Sequence, residues 1–367
     1  MYVSRRMLAA LASVAVVLAL ATGTPGEPRG EPRGEPRGEP RGEHRDERIR
    51  PEEIRQNLFA ACFPNERTGW VAGELGRIFR TDDGGATWVR QDAGTTKPFL
   101  AAACLDGERA WIAGKGALLY RTTDGGRSWK LLTPNTTKHI FDLAFVGPTD
   151  GIAVGDWGLL MHTDDGGATW TLAGLPEDFQ LSPMAEDIGL DPEDTILYAV
   201  SRPDATHGWA VGEFGTILAT EDGGASWRQQ HSPVDTTLFG TYFRDPSEGW
   251  AVGMDAVILH TQDAGRSWTQ LPAPLRERSF YDVAVRGPHG WIAGDAGTLL
   301  RTADGGRTWQ VEPLPIVLAA NWFRAIELLP SGRGFIAGAE GLLFAVDAEH
   351  VTDLRHSAVT TDGRGAS

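Results

Sequence analysis

The chain has 367 residues, 46 of them Gly and 13 Trp, and a formal net charge of −15 at pH 7. That balance describes a loop-rich sheet protein rather than a helical one. A phosphate backbone is held by clustered Lys and Arg, which this acidic chain does not offer, so nucleic acid is excluded as an expected partner.

Residues 1–21 read as an export signal. Arg5 and Arg6 precede an apolar run over 7–21 that ends on the small-x-small step Ala19, Leu20, Ala21. The run is shorter than the roughly 20 residues a spanning helix needs, so cleavage after Ala21 is expected. Two Arg leave with it, which takes the charge from −15 to −17. Ser4 to Leu8 also brush a twin-arginine pattern. Residues 22–45 carry GEPR four times over 26–41 and then GEHR. Regular Pro and alternating charge leave nothing to bury, so an extended spacer is expected.

From 46 to 360 a repeat governs the chain, and 361–367 remain as a tail. Its copies are marked by Gly69, Ala110, Gly151, Gly208, Gly249, Gly290 and Gly334, each followed by an aromatic residue or Ile. Four of the six intervals are 41 residues, one is 44 and one is 57. In the third copy FDLAF (141–145) leads to GIAVG (151–155), LLMHT (159–163) and DGGATW (165–170). Short apolar runs between Gly and Asp turns indicate four antiparallel strands per copy. One such sheet cannot cover its own faces, whereas seven around an axis can. The expected fold is an all-β, seven-bladed β-propeller of about 41-residue repeats.

Asp83, Asp124, Asp165, Asp222, Asp263 and Asp304 hold the same place in six copies. Each is expected to accept hydrogen bonds from backbone N–H groups ahead of it, while the following glycines permit positive φ. Trp88, Trp129, Trp170, Trp227, Trp268 and Trp309 then return the chain to the core. Six equivalent acids around a ring cannot converge on one substrate. The loop also lacks the ligand spacing and final Glu of a calcium loop, and the nine His show no paired spacing, so no metal or cofactor is expected.

These turns resemble the Asp boxes of the bacterial neuraminidase repeat, which sialidases, xyloglucan-type glycosidases and non-enzymatic propellers share. Three features go further: inner strands such as FDLAF and FYDVAV (280–285), the pattern GWxxGxxGxxxxTxDGGxxW, and a last copy over 321–344 that drops the box. Over 58–346 the chain resembles the photosystem II stability and assembly factor family of seven-bladed propellers. That resemblance implies a non-catalytic, monomeric, periplasmic or lumenal scaffold that holds a membrane or exported protein client during assembly. Two departures stand out: there is no lipobox Cys, and the charge is acidic where the family binds clients through an arginine patch. Arg77, Arg80, Arg121 and Arg301 do not align with that patch and are read as solvated blade surface.

The rival reading is a glycoside hydrolase or sialidase-like propeller that takes carbohydrate. Tyr281 starts an inner strand, but Arg48-Ile49-Arg50-Pro51 only approaches the Arg-Ile-Pro signature. Asp142 and Asp282 hold matching inner-strand positions in the third and sixth copies. They are expected more than about 10 Å apart, outside the roughly 5–9.5 Å of glycosidase pairs, and bonded to neighbouring strand ends.

For a client, the 57-residue interval supplies an insertion over 176–195. It mixes Glu177, Asp178, Glu186 and Asp187 with Phe179, Leu181 and Met184, and long loops on rigid scaffolds are favoured recognition sites. The channel mouth around Asp142, Tyr281, Asp282 and Arg324 is the second candidate. Cys62 lies eight residues before Trp70 and Cys104 seven before Trp111. Alternation therefore points them to opposite faces, and two buried thiols are expected rather than a disulfide. The missing fourth strand of the last copy is expected from 45–56, ahead of the alternative at 350–360.

Overall fold

The computed structural model describes residues 47–314 and 318–356. The export signal, the spacer and the tail lie outside the described residues. Among them, seven antiparallel sheets follow one another, six of four strands and the first of five. The third blade runs outward through Ile140–Val146, Asp150–Gly155, Leu160–Thr163 and Thr171–Leu172. The other inner strands are Leu58–Cys62, Phe99–Cys104, Leu197–Ser201, Leu238–Phe243, Phe280–Arg286 and Phe323–Leu328. Each packs on the next and the last on the first, which closes the ring.

Second strands such as GWVAG, AWIAG and GWAVG are buried along their whole length, because both faces of each sheet are covered. Their aromatic residues join the blades. Trp111 stacks on Phe145 of the next blade at 3.8 Å, Trp209 on Phe243 at 3.6 Å, and Phe335 of the seventh blade on Phe63 of the first at 3.7 Å. Such pairs contribute about 0.5–1.5 kcal/mol each beyond their buried area. The stacks explain the glycine that marks the copies: a Cβ on Gly69, Gly151 or Gly249 would enter the ring of Phe63, Phe145 or Phe243. The second copy has Ala110 there, and its strand partner is the smaller Cys104.

The Asp boxes occupy the turns between third and fourth strands and share one geometry. Asp165 accepts from the Thr169 hydroxyl at 2.7 Å, from the Thr169 N–H at 2.9 Å and from the Thr163 hydroxyl at 2.9 Å. The Thr169 hydroxyl and N–H hold its carboxyl down at about 2. Box carbonyls in turn receive donors from the preceding blade: Trp111 Nε1 on Gly166 at 2.9 Å, Trp209 on Ala264 at 3.2 Å and Trp250 on Gly306 at 3.0 Å.

Arg80 and Arg121 belong to the same joints, which corrects their reading as solvated surface. The Arg80 guanidinium lies 4.9 Å over the Trp70 ring and donates to the carbonyls of Gly107 and Gly125 at 2.7 Å each. Arg121 lies 5.3 Å over Trp111 and donates to Gly166. A planar cation satisfies an aromatic face and two carbonyls at once, which a solvated Lys would not. Arg301 donates to Ala348 and pairs with Glu312 at 3.2 Å, while Arg77 precedes the strand Ile78–Thr81.

Ring closure differs from the expected N-terminal seal. Val351–Asp353 pairs with Leu343–Val346 as the fourth strand of the seventh blade, and Arg48–Ile49 adds a fifth strand to the first. Pro51 opens a 3-10 turn, Pro51–Glu53, that stops the N-terminal strand after two residues. The N-terminal segment still spans the joint. Ile54 is buried with Phe335 and Leu343, and Asn57 Oδ1 accepts from the Glu340 N–H at 3.0 Å.

Cys62 and Cys104 are free thiols, the first buried and the second half-buried. Their expected separation is overturned. They do point to opposite faces, but opposite faces of neighbouring blades are the ones that meet, and the two cysteines share one apolar cluster across the first joint.

Candidate functional site

Every inner strand starts with the same irregularity. A register shift at Phe59, Leu100, Phe141, Tyr198, Phe239, Tyr281 and Arg324 leaves each without a partner on the second strand. Such a bulge re-aims a side chain, and all seven residues line the central channel. Ring centroids follow one another at 5.6 Å from Phe141 to Tyr198, 5.1 Å to Phe239 and 5.5 Å to Tyr281. Arg324 lies 5.7 Å over the Tyr281 ring and donates to the Tyr281 carbonyl at 3.1 Å. Phe59 stacks on Trp322 at 5.5 Å. The result is an aromatic collar with one cation, at the mouth where the inner strands begin.

Of this collar only Tyr281 and Arg324 were singled out from the sequence. The others carry a readable signal. They sit eleven residues before the residue that follows each copy's marker, and Tyr281 ten.

Beyond the collar the channel encloses about 410 Å³. Asp142, one residue further in, accepts from the Val200 N–H at 2.9 Å and the Leu143 N–H at 2.8 Å. Asp282 accepts from Ile326 at 2.7 Å and Val283 at 2.8 Å. Glu327 likewise accepts from the Phe63 N–H. Each acid thus ties its strand to the inner strand of the next blade. Burial in the channel wall raises Asp142 to about 6, Asp282 to about 7 and Glu327 to about 8, against the pull of these N–H donors and of Arg324 or Arg286. Asp142 and Asp282 each have both carboxylate oxygens bonded to backbone donors, which makes them latches between blades.

The insertion shares the collar's side of the ring, because every connection from an outer strand to the next inner strand runs there. It forms a short helix, Pro183–Asp187, capped by Ser182, and a 3-10 turn, Pro192–Asp194. Gln229 clamps it to the fourth blade, bonding the N–H and the carbonyl of Gln180 at 2.8 Å each. Phe179 is half-buried and packs against the cluster between the third and fourth blades. Glu177, Asp178, Glu186 and Asp187 are exposed, and Met184 is 41% exposed.

Three further apolar residues face solvent on this side: Ile188, 44% exposed, Trp157, 56% exposed on the neighbouring turn, and Leu75, 56% exposed on the first blade. Trp157 holds φ at 54° while its carbonyl accepts from Lys138. A bulky residue in that region costs about 1 kcal/mol or more. Its signal is the repeat itself: the tip of the turn after each second strand is Leu75, Gly116, Trp157, Phe214, Asp255, Ala296 or Glu340 in successive copies. Among the described residues no group of three His, Cys, Asp or Glu side chains is placed to hold a metal ion.

A family model described as photosynthesis system II assembly factor YCF48 matches residues 48–137, 177–279 and 271–347. None of the curated proteins matches the chain. Among solved structures, YCF48 bound to D1 peptide is 24% identical with a TM-score of 0.66, over 83% of this chain and 97% of that one. YCF48 from Cyanidioschyzon merolae is 22% identical with a TM-score of 0.66, over 81% and 97%. An ancestral GH74 enzyme aligns at 14% identity and a TM-score of 0.63, over 80% of this chain and 45% of its own. These structural likenesses speak for the propeller fold, and the family match adds lineage. With the repeats, the six Asp boxes and the box-less last blade, they establish that the chain belongs to the photosynthesis system II assembly factor YCF48 family.

Proposed function

We propose that this protein is an exported, non-catalytic scaffold that holds a protein client during assembly, engaging it on the side of the ring that carries the collar and the insertion. The reading is carried by family membership together with one solved relative: a YCF48 propeller bound to a D1 peptide. The collar side supplies what an extended client segment needs. Aromatic rings and Arg324 mark the channel mouth, and exposed Trp157, Met184 and Ile188 stand beside the acids of the insertion. Apolar and acidic groups together suit a client that carries apolar and basic surface.

In this reading the signal is removed, the protein works as a monomer in the periplasm or an equivalent lumen, and the spacer keeps the ring clear of the membrane. Channel chemistry supports a binding role over glycoside hydrolysis. That reaction needs one carboxylic acid and one free carboxylate flanking a sugar, whereas Asp142 and Asp282 each bond two backbone N–H groups.

The test is affinity capture from native membranes with the full chain as bait, followed by mass spectrometry of what remains bound. The expected result is one enriched membrane or exported protein whose recovery falls when Arg324 is replaced by Ala. Recovery of no enriched protein sinks the reading. Turnover of sialosides or β-glucans that disappears in Asp142→Asn or Asp282→Asn would replace it with the enzymatic one.

A further inference from the structure

Cys62 ends the inner strand of the first blade and Cys104 that of the second. Equivalent positions elsewhere show how such residues are aimed. Residues at the Cys62 position reach forward: Ser201 Oγ accepts from the Phe243 N–H at 2.8 Å, and Glu327 accepts from Phe63. Residues at the Cys104 position face back: Phe63, Phe145 and Phe243 stack on Phe335, Trp111 and Trp209 of the preceding blade. At the first joint the same rule brings two thiols together. They lie inside one apolar cluster with Trp70, Ile78 and Phe99, and they are the chain's two cysteines.

We propose that Cys62 and Cys104 form a disulfide that staples the first blade to the second and gives the ring one redox-sensitive joint. Both residues border the channel, but Cys62 is only 2% exposed while Cys104 is half-buried, so a small disulfide RSSR reaches Cys104 first. The Cys104 thiol gives its proton to solvent, and its thiolate attacks one sulfur of RSSR. A protein–S–SR bond forms and RS⁻ leaves, taking up a proton. Cys62, deprotonated in turn, attacks the Cys104 sulfur and expels the second RS⁻. In sum, two protein S–H groups and RSSR become one protein disulfide and two RSH; the cysteines are oxidised and RSSR is reduced. Burial, the Cys62 thiol and the carboxylates of Glu327 and Asp106 keep the Cys104 thiol protonated, which makes the first attack the slow step.

The test takes the full chain, purified under reduction, through glutathione buffers of graded oxidised-to-reduced ratio at mildly alkaline pH. Samples are quenched with acid, alkylated with iodoacetamide and read by intact mass and non-reducing peptide mapping. The expected outcome is two alkylations in the reduced protein and none in the oxidised one, which loses two hydrogens and yields a peptide joining residues 62 and 104. Its thermal midpoint should rise by roughly 5 °C, because the bond restricts the unfolded chain, and dithiothreitol should reverse the shift. Cys62→Ser is expected to stop at a single glutathione adduct on Cys104. The proposal is overturned if both thiols stay alkylatable at the most oxidising ratio, if wild type stops at a stable adduct, or if the bond joins separate molecules.

Discussion

At the Asp-box end of the blades, the same five hydrogen bonds among Thr, Asp, Gly and Ser or Thr recur in each of six turns, as in those around Asp83 and Asp124. At the collar end the equivalent turn tips are Leu75, Gly116, Trp157, Phe214, Asp255, Ala296 and Glu340, of which no two are alike. Backbone is the same at both ends; side-chain chemistry is constant at one and variable at the other. Invariance within a ring marks what every blade must do to stand beside its neighbour. Variation leaves the other side free of that constraint, which is why the proposed client is placed there.

The contrast breaks most sharply at a tryptophan that joins two blades. Trp111→Ala should cost about 3–5 kcal/mol in urea unfolding, since a fully buried ring stacked on Phe145 leaves a cavity. Trp129, which the sequence casts as a core residue, is half-buried, and Trp129→Ala should cost about 1–2 kcal/mol. Equal losses at the two would mean that the joints do not dominate stability.

Next in size is a pH effect that separates the two ends. Asp142, Asp282 and Glu327 have folded values raised to about 6, 7 and 8, so the fold favours their protonated forms. Their contribution is complete below about pH 4, where the unfolded groups are also protonated, and is lost as pH rises through 6 to 8. Asp165 and Asp304 are lowered to about 2, so theirs is present above about pH 4 and lost as pH falls toward 2. Calorimetry should therefore find the thermal midpoint roughly 3–6 °C higher near pH 5 than near pH 8. Asp282→Asn should flatten the alkaline limb and leave the acid limb alone. A midpoint that does not change between pH 5 and 8 contradicts the assignment.

A single box should matter less. Asp124→Ala removes turn hydrogen bonds without opening a core cavity, for an expected cost of about 1–2 kcal/mol by chemical denaturation. Smallest of all, replacing 177–194 with a short Gly-Ser turn should cost about 1 kcal/mol, mostly for the half-buried Phe179 contact, while weakening client capture, most visibly at low salt. If capture is unaffected, attention moves to Arg324 and the collar.

Much of this was legible in the sequence, and the reason is periodicity. A 41-residue recurrence of Gly-Trp and DGGxxW gave the blade count, the strands and the role of the six acids without any long-range information. What escaped was whatever depends on the neighbouring copy. Arg80 looks solvent-facing on its own strand until the carbonyls of Gly107 and Gly125 arrive from the second blade. Cys62 and Cys104 have opposite parity, which separates residues on one sheet but unites them across two. Pro51 was visible, yet its effect on closure rests on where the Val351–Asp353 strand lies, a long-range fact. Phe179 shows the converse. It reads as an exposed residue in an acidic loop, and the structure half-buries it against the joint of two blades.

The hydrogen bond from the Glu340 N–H to Asn57 joins residues 283 positions apart. A ribosome delivers Asn57 early and Glu340 near the end, so for most of its synthesis the first blade has one uncovered face and Phe63 lacks the ring of Phe335. Sealing the ring is therefore the last and longest-range step of folding, and no earlier local event can substitute for it. A chain cut short before the seventh blade lacks the sheet that covers the open side of the first. Protection from proteolysis is therefore expected of the closed ring and not of its shorter fragments.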